Sequence, residues 1–468
     1  MPALMVQGTS SWAGKSLITT GLARAFRRRG IDIVPFKAQN MSNNARVVRG
    51  GEIGSAQYLQ ALAAGVTPDA LMNPVLVKPE GDTRSQVIIL GRPDLEISRL
   101  SWRSRGPLLW PVIERSLQKM LASHELVLIE GAGSPAETNL CDTDLANMRT
   151  ALAANARVLL VADIDRGGAF AHLYGTWAML REPERRLLLG FVLNKFRGDP
   201  ALLSPAPENL EQLTGVPTLG VIPWLAHGLP DEDGTADPVR LGTRPLVGVV
   251  RYPTASNLDE FKLLEQVVDL LWLNRSGEAD CCELVILPGS KHVSADLSWL
   301  NANGMAAEIV RRARSGRLVL GICGGLQILG ERLEDEASVD GSAEGLGLLP
   351  LRTVFVRSKR VERTTTRFHA LSGPWRALAG KSIAGYQIRH GRTSSTGRVE
   401  HALPDGLGFA NGNVLGIYVH GLFEEPDVLG ALFGRKPGED LEATFDSLAE
   451  ALEQHLDVSL LLRMAGVR

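Results

Sequence analysis

The stretch "GTSSWAGKS", Gly8 to Ser16, decides how this chain reads. It follows the apolar run "PALMVQG" and opens the helix-like segment "KSLITTGLARAFRRRG". A phosphate-binding loop ordinarily carries four residues between its first glycine and a Gly-Lys-Ser/Thr end. Here five intervene, Thr9 to Ala13, yet the physical requirements survive. Gly8 and Gly14 let the backbone, Thr9 included, turn its N–H groups toward phosphate oxygens. Lys15 then reaches the outer phosphates, and Ser16 is placed to hold Mg²⁺. Strand, glycine loop, Lys-Ser and helix in that order separate a nucleotide site from a chance glycine turn.

Working outward, the runs "IDIVPFK", "LVLIEGAG", "RVLLVADID" and "LLLGFVLNKF" repeat the pattern of apolar strand, turn and helix. That rhythm predicts a parallel α/β sheet. It stops at "LAHGLPDEDGTADPVRLGTRP", Leu225 to Pro245, where Gly, Pro and acids replace the periodicity and predict an exposed connection. A second α/β series follows in "LVGVVRY", "CELVILPGSK", "RLVLGICGG" and "NVLGIYVHG". The expectation is two tandem α/β domains, the first over residues 1–230 with a P-loop-type parallel sheet and the second over 246–436. Residues 231–245 would be the linker, and 437–468 a terminal helical segment.

A chain of 468 residues exceeds what one core usually supports, which agrees with that division. Lys plus Arg number 50 against 52 acids, so there is no basic footprint for nucleic acid or an anionic membrane, and small-molecule partners are expected. Cys141, Cys281, Cys282 and Cys323 match neither a disulfide framework nor a zinc spacing, which predicts a reducing cytoplasm. Short, charge-broken apolar runs and a strand-first N-terminus predict no export leader and no membrane span. A homo-oligomer stays open.

Glu130 ends the strand in "LVLIEGAGS", where a carboxylate would face the phosphates and hold the metal; the alternative is a solvated strand-end acid. Glu52 in "GGEIGSAQ" is a further candidate metal-side carboxylate. Asn194 in "LNKF" would read the adenine edge or simply open a helix. Asn40, Asn43 and Asn44 of "KAQNMSNNA" would position a substrate carboxylate beside the γ-phosphate, or form a capping loop.

The second domain carries "LVLGICGGLQILG", with Cys323 between glycines after a strand. This is the cysteine form of a nucleophile elbow: a tight turn exposes the thiol, and the backbone N–H of Gly324 can stabilise an oxyanion. A thiol nucleophile needs a base from elsewhere in the chain. His420, at the strand end "YVHG", is the candidate. His124, His172, His227, His292, His369, His401 and His455 read as surface or satisfied histidines, and His390 is undecided. Gly289 in "VILPGSKH" could complete the oxyanion hole, and Gln327 could contact a bound amide donor or face the core. The other three cysteines read as structural.

The five-residue loop resembles that of the dethiobiotin synthetases and related deviant-loop ATPases, several of which activate a carboxylate with ATP. "GICGGLQ", "YVHG" and "LPGSK" resemble the class I glutamine amidotransferases, which implies a flavodoxin-like domain and ammonia release through a cysteine thioester. Most of that class have Glu two residues after the histidine. Leu422 stands there, as in the corrinoid-amidating subgroup with its Cys-His pair, so the group that orients His420 is left unnamed. "KAQNMSNNA", "NPVLVKPEGDTRSQVIILGRP", "ADIDRGGAFA" and "NKFRGD" resemble the cobyric acid synthase family, and the similarity covers nearly the whole chain. The resemblance implies ATP-, Mg²⁺- and glutamine-dependent amidation of the b, d, e and g carboxylates of adenosylcobyrinic acid a,c-diamide. To let four carboxylates reach one site, an open pocket from which partly amidated products leave and rebind is expected. "GYQIRHGRT" differs from the family's usual "GYEIH", with Gln387 for Glu and Arg389 for His. The rivals are amidation of cobyrinic acid at a and c, a glutaminase half that is inactive and fed by free ammonia, and a nucleotide-switched ATPase without amidation.

Overall fold

Strands rich in Val, Ile and Leu that are buried on both faces need helices on both sides, and this is the arrangement that the computed structural model adopts twice. The structure describes residues 2–81, 83–140, 143–230, 241–438 and 440–467. The first sheet is all parallel. Across it the strands run Thr218–Pro223, Leu188–Phe196, Arg157–Asp163, Ala3–Gly8, Leu126–Glu130 and Ile33–Phe36. Strand Ala3–Gly8 is buried along its whole length. Its neighbours come from later in the chain on both sides, so the glycine loop leaves the sheet at a topological switch point, where open α/β sheets bind ligands. Glu130, at the end of the adjacent strand, is thereby brought beside the loop.

The second sheet has the order Asp269–Leu273, Leu246–Val250, Leu284–Leu287, Leu318–Ile322, Val414–Ile417, Gly408–Asn411 and Glu400–Leu403. Its first five strands are parallel and the last two antiparallel. Cys323 follows Leu318–Ile322, and His420 lies just beyond Val414–Ile417, its immediate neighbour in the sheet.

Two features bind the halves together. A ribbon of Leu351–Arg367 paired with Ser382–Ser395 reaches back to the first half, where Arg363 Nε donates to Val47 O at 3.2 Å. The terminal segment also returns to the first half. There Phe445, Leu448 and Leu452 share a core with Ile18 and Leu22 of helix Lys15–Arg28, and Arg24 pairs with Asp446 at 2.7 Å and Glu442 at 2.8 Å. This segment is two helices, Leu441–His455 and Val458–Ala465. Asp457 starts the second by accepting a hydrogen bond from Leu460 N at 2.8 Å.

Of the expected linker 231–245, residues 231–240 lie outside the described residues, as does Cys141. Among the described residues Cys281, Cys282 and Cys323 are free thiols, and no helix is long and apolar enough to cross a membrane. Burial pushes the Cys282 thiol up to about 12, which leaves it inert.

Candidate active site

The nucleotide loop is held by contacts from several strands. Gly14 adopts φ +99° and opens helix Lys15–Arg28. Lys15 Nζ donates to Ser10 O at 3.0 Å and Gly133 O at 3.1 Å, across the mouth of the loop. Thr9 N is tied to Val161 O at 2.8 Å. Ser16 Oγ donates to Glu130 Oε1 at 2.9 Å, and Glu130 is fully buried. Two residues absent from the sequence expectation complete this corner. Lys37 Nζ reaches Glu130 Oε1 at 2.8 Å, and Gln60 Nε2 donates to Glu130 Oε2. Buried carboxylates require such partners. Lys37 belongs to the quoted "KAQNMSNNA" stretch, but nothing in its spacing pointed to Glu130, 93 residues away.

Asn194 is a strut more than a wall. Its Nδ2 donates to Ala13 O at 2.9 Å, it lies against Gly14, and it is 1% exposed. The neighbouring Lys195 lines the cavity instead, with Nζ on Trp12 O at 2.7 Å and Asp163 Oδ2 at 2.9 Å. His227, expected to be a surface or satisfied histidine, also lines that cavity and has a partner at Leu229 O, 3.2 Å away.

Glu52 is corrected. One oxygen is held by Lys78 and the other by Lys359, and the carboxylate is fully buried. Burial alone would raise its pKa, but the two ammonium groups hold it near 2. Its partners Lys78 and Lys359 line the cavity of Cys323 and not that of Lys15, so Glu52 stands apart from the metal-side carboxylate. The same burial lowers Lys359 to about 7.

The three asparagines also divide. Asn40 Nδ2 donates to Gln57 Oε1 at 3.0 Å, and Asn44 Oδ1 accepts from Leu258 N of the second half at 2.9 Å. Asn43 Oδ1 is buried without a hydrogen bond. All three line a cavity of about 630 Å³ that also contains Lys15, Lys37 and Trp102.

The glutaminase candidates converge. Cys323 has φ 51°, ψ −103°, a strained conformation that non-glycine residues rarely adopt, at the start of helix Gly324–Leu329. Gly324 packs on the Gly289–Ser290 turn so closely that a Cβ would lie 2.6 Å from Ser290 N, and a Cβ on Gly289 would lie 2.8 Å from His420 Cε1. Ser290 is fixed by its hydroxyl on Asp296 Oδ2 at 2.6 Å. Burial pushes Asp296 up to about 6.

The group that orients His420 is Glu260. Its Oε1 accepts from His420 Nδ1 at 2.8 Å, and its Oε2 accepts from Gly421 N at 2.9 Å. Both side chains are essentially inaccessible. With Nδ1 committed, Nε2 is left for the thiol. Burial by itself would favour a neutral ring, but Glu260 and the hydrogen-bonded Cys323 outweigh it and raise His420 to about 10. Tyr386 stacks on the ring at 5.2 Å. Glu260 sits 160 residues before the histidine, so no local spacing could have announced it.

Gln327 Nε2 donates to Tyr418 Oη at 3.2 Å while lining the Cys323 cavity, which measures about 760 Å³. Of the two unusual ribbon residues, Gln387 bonds to Glu362 and Thr364 at 2.9 Å each, whereas Arg389 stacks 3.8 Å over Tyr418 and lines the cavity. His390 lines it too, and burial holds its ring neutral, with a pKa near 4.

Residues 4–229 match the CobQ/CobB/MinD/ParA nucleotide binding domain, and residues 246–428 match the CobB/CobQ-like glutamine amidotransferase domain. Cobyric acid synthase of Polaromonas sp. (strain JS666 / ATCC BAA-500) is 52% identical, covering 98% of this chain and 97% of its own. The enzyme of the same name from Paracidovorax citrulli is 53% identical over 97% of both chains, and that of Variovorax paradoxus 52% over 98% of both.

Proposed function

The chain belongs to the cobyric acid synthase family, and on that premise we propose that it converts the b, d, e and g carboxylates of adenosylcobyrinic acid a,c-diamide to amides with ATP and glutamine. The observation that carries this reading is the presence, in one chain, of a phosphate loop closed by the Ser16–Glu130 contact and of a Cys323 elbow faced by a carboxylate-held histidine.

At the first site Lys15 exchanges its two backbone carbonyl partners for phosphate oxygens of ATP. Ser16 Oγ and Glu130 Oε1, 2.9 Å apart, are hard oxygen donors that fit Mg²⁺. Mg²⁺ held by these two oxygens would supply charge neutralisation for the ATP phosphates. A substrate carboxylate oxygen attacks the γ-phosphorus and ADP leaves, giving an acyl phosphate. Ammonia then attacks the acyl carbon and inorganic phosphate departs. Lys37, against Glu130, holds further positive charge where the carboxylate approaches. Exposed Met41 and Leu140 rim the Lys15 cavity, which gives an apolar macrocycle a surface to rest on while each acidic arm reaches in.

At the second site the Cys323 sulfur, its proton already held on His420 Nε2, attacks the glutamine amide carbon as the thiolate. The backbone N–H groups of Gly289 and Gly324 would stabilise the oxyanion. His420 returns the proton to the leaving nitrogen, ammonia departs, and water hydrolyses the thioester to glutamate. Glu260 keeps the ring in the required tautomer throughout. The chemistry needs only small-molecule partners and suits a cytoplasmic enzyme.

The test is incubation of the enzyme with MgATP, glutamine and either corrinoid, followed by mass spectrometry. Stepwise acid-to-amide conversion of the a,c-diamide is expected. Conversion of unamidated cobyrinic acid alone would assign the chain to the a,c-amidating reaction instead.

A further inference from the structure

The two cavities share a wall. Asn43 lines both the Lys15 cavity and the Cys323 cavity. Around it the chain alternates. In strand Val75–Gly81, Lys78 and Glu80 face the Cys323 cavity while Pro79 faces the Lys15 cavity, as the two-residue period of a strand requires. From the second half, Ser256 and Asn257 face the Cys323 cavity, and Ala255 and Leu258 face the other. The partition is therefore a single layer of chain contributed by both halves. It is pinned immediately after Asn43 by a reciprocal pair of hydrogen bonds, Leu258 N to Asn44 Oδ1 at 2.9 Å and Ala45 N to Asn257 Oδ1 at 3.1 Å. Asn257 takes φ 57°, a conformation asparagine tolerates, to present its side chain to this clasp.

Within that fixed frame Asn43 Oδ1 is buried and accepts no hydrogen bond. An orphaned buried acceptor is costly, and it acquires a purpose if a transient donor passes it. Ammonia is such a donor, small enough to move between side chains and able to give three N–H bonds. On the Cys323 side the cavity is lined, among the described residues, by Lys78, Lys291, Lys359 and five arginines against the carboxylates of Glu80 and Asp340. That excess of positive charge disfavours ammonium and leaves the neutral molecule, the form that attacks an acyl phosphate, free to travel.

Resting on the reading that the two sites cooperate in amidation, we infer that ammonia released at Cys323 crosses to the Lys15 cavity at Asn43, with its amide oxygen as the relay acceptor. No bond to carbon forms or breaks in the passage; neutral ammonia exchanges one hydrogen-bond acceptor for the next. Asn43 is thus a positioning residue in the partition rather than a ligand of the corrinoid.

The experiment supplies the whole enzyme with MgATP, the a,c-diamide corrinoid, glutamine labelled with ¹⁵N at its amide, and excess unlabelled ammonium. Parent enzyme should give product amides carrying mainly ¹⁵N. Asn43→Leu, which fills the passage, should give mainly unlabelled amides and consume at least about tenfold more glutamine per amide formed, because the intramolecular supply is lost. Its amidation with ammonium alone should fall far less than its amidation from glutamine, so that the ratio of glutamine-driven to ammonium-driven amidation drops at least about tenfold. Should the leucine variant fail to fold, Asn43→Ala removes the acceptor without filling the space, and its product should carry less label than the parent's. Full label retention in either folded variant overturns the passage. So does a parallel loss of ammonium-driven amidation with a raised KM for the corrinoid, which would make Asn43 a substrate ligand. Unlabelled product from an active parent overturns this inference alone, whereas a parent that forms no amide from either nitrogen source overturns the amidation reading and this inference with it.

Discussion

The nucleotide site and the glutaminase site are both built where a strand turns into a helix, but they are assembled over different distances. The first is mostly one contiguous loop, Gly8 to Ser16, supported by strand ends of its own sheet. The residues proposed as nucleophile, base and orienting carboxylate of the second, Cys323, His420 and Glu260, come from three segments that meet only in the fold. A contiguous site keeps its geometry as long as one loop is intact. A dispersed site can be disabled by a residue far from the reacting atoms in sequence, and that residue is silent until the structure is known.

Lys15→Ala should have the largest effect. It removes the only loop ammonium and should abolish amidation with either glutamine or ammonium, by roughly 10³-fold or more in kcat, while glutamine hydrolysis persists. Loss of glutamine hydrolysis as well would mean that the two sites are not separable.

Arg46→Ala sharpens the comparison from the interface side. Arg46 comes from the first half, is buried, donates through Nε to Asp259 Oδ2 at 2.8 Å beside Glu260, and also pairs with Glu424. Removing one partner of a buried ion pair strands the other, so thermal or denaturant unfolding should reveal a loss of about 3–5 kcal/mol. A loss below about 1 kcal/mol would show the pair to be solvated in solution.

Glu260→Gln probes the dispersed site. Glutaminase kcat/KM should fall by about 10²-fold or more, while ammonium-driven amidation is unchanged. The sign of the pH effect is fixed. His420 stands near 10, above its ordinary value, because Glu260 and Cys323 outweigh burial, so deleting the carboxylate lowers the imidazolium pKa. The alkaline limb of the glutaminase profile should move to lower pH. An unmoved limb would remove Glu260 from the triad.

The smallest effect is expected at the returning C-terminal helix. Glu442 is largely exposed where it meets Arg24, so Glu442→Ala should cost no more than about 1 kcal/mol, and less at high salt. A larger cost would mean that this docking is held by charge rather than by Phe445, Leu448 and Leu452.

What could be read from sequence follows the same division. The parallel sheets were legible because buried strands are apolar throughout. Lys15, Ser16 and Cys323 were legible because glycines at fixed spacing mark turns that few other functions need. Glu52 misled for a physical reason: a carboxylate near a glycine turn looks like a metal ligand until the lysines that claim it, one of them 307 residues away, are seen. Lys37, Gln60 and Glu260 carried no local signal, since each acts through a partner on another element. The long ribbon from Leu351 to Ser395 was missed because its mixed polar sequence serves a contact with the other half as well as its own pairing.

The most direct test of the central claim, that one chain joins carboxylate activation to ammonia release, is amidation by Cys323→Ala measured with glutamine and with ammonium side by side. The account predicts no amide from glutamine and a parent-like rate from ammonium. Equal amidation from both sources, or none from either, would contradict it.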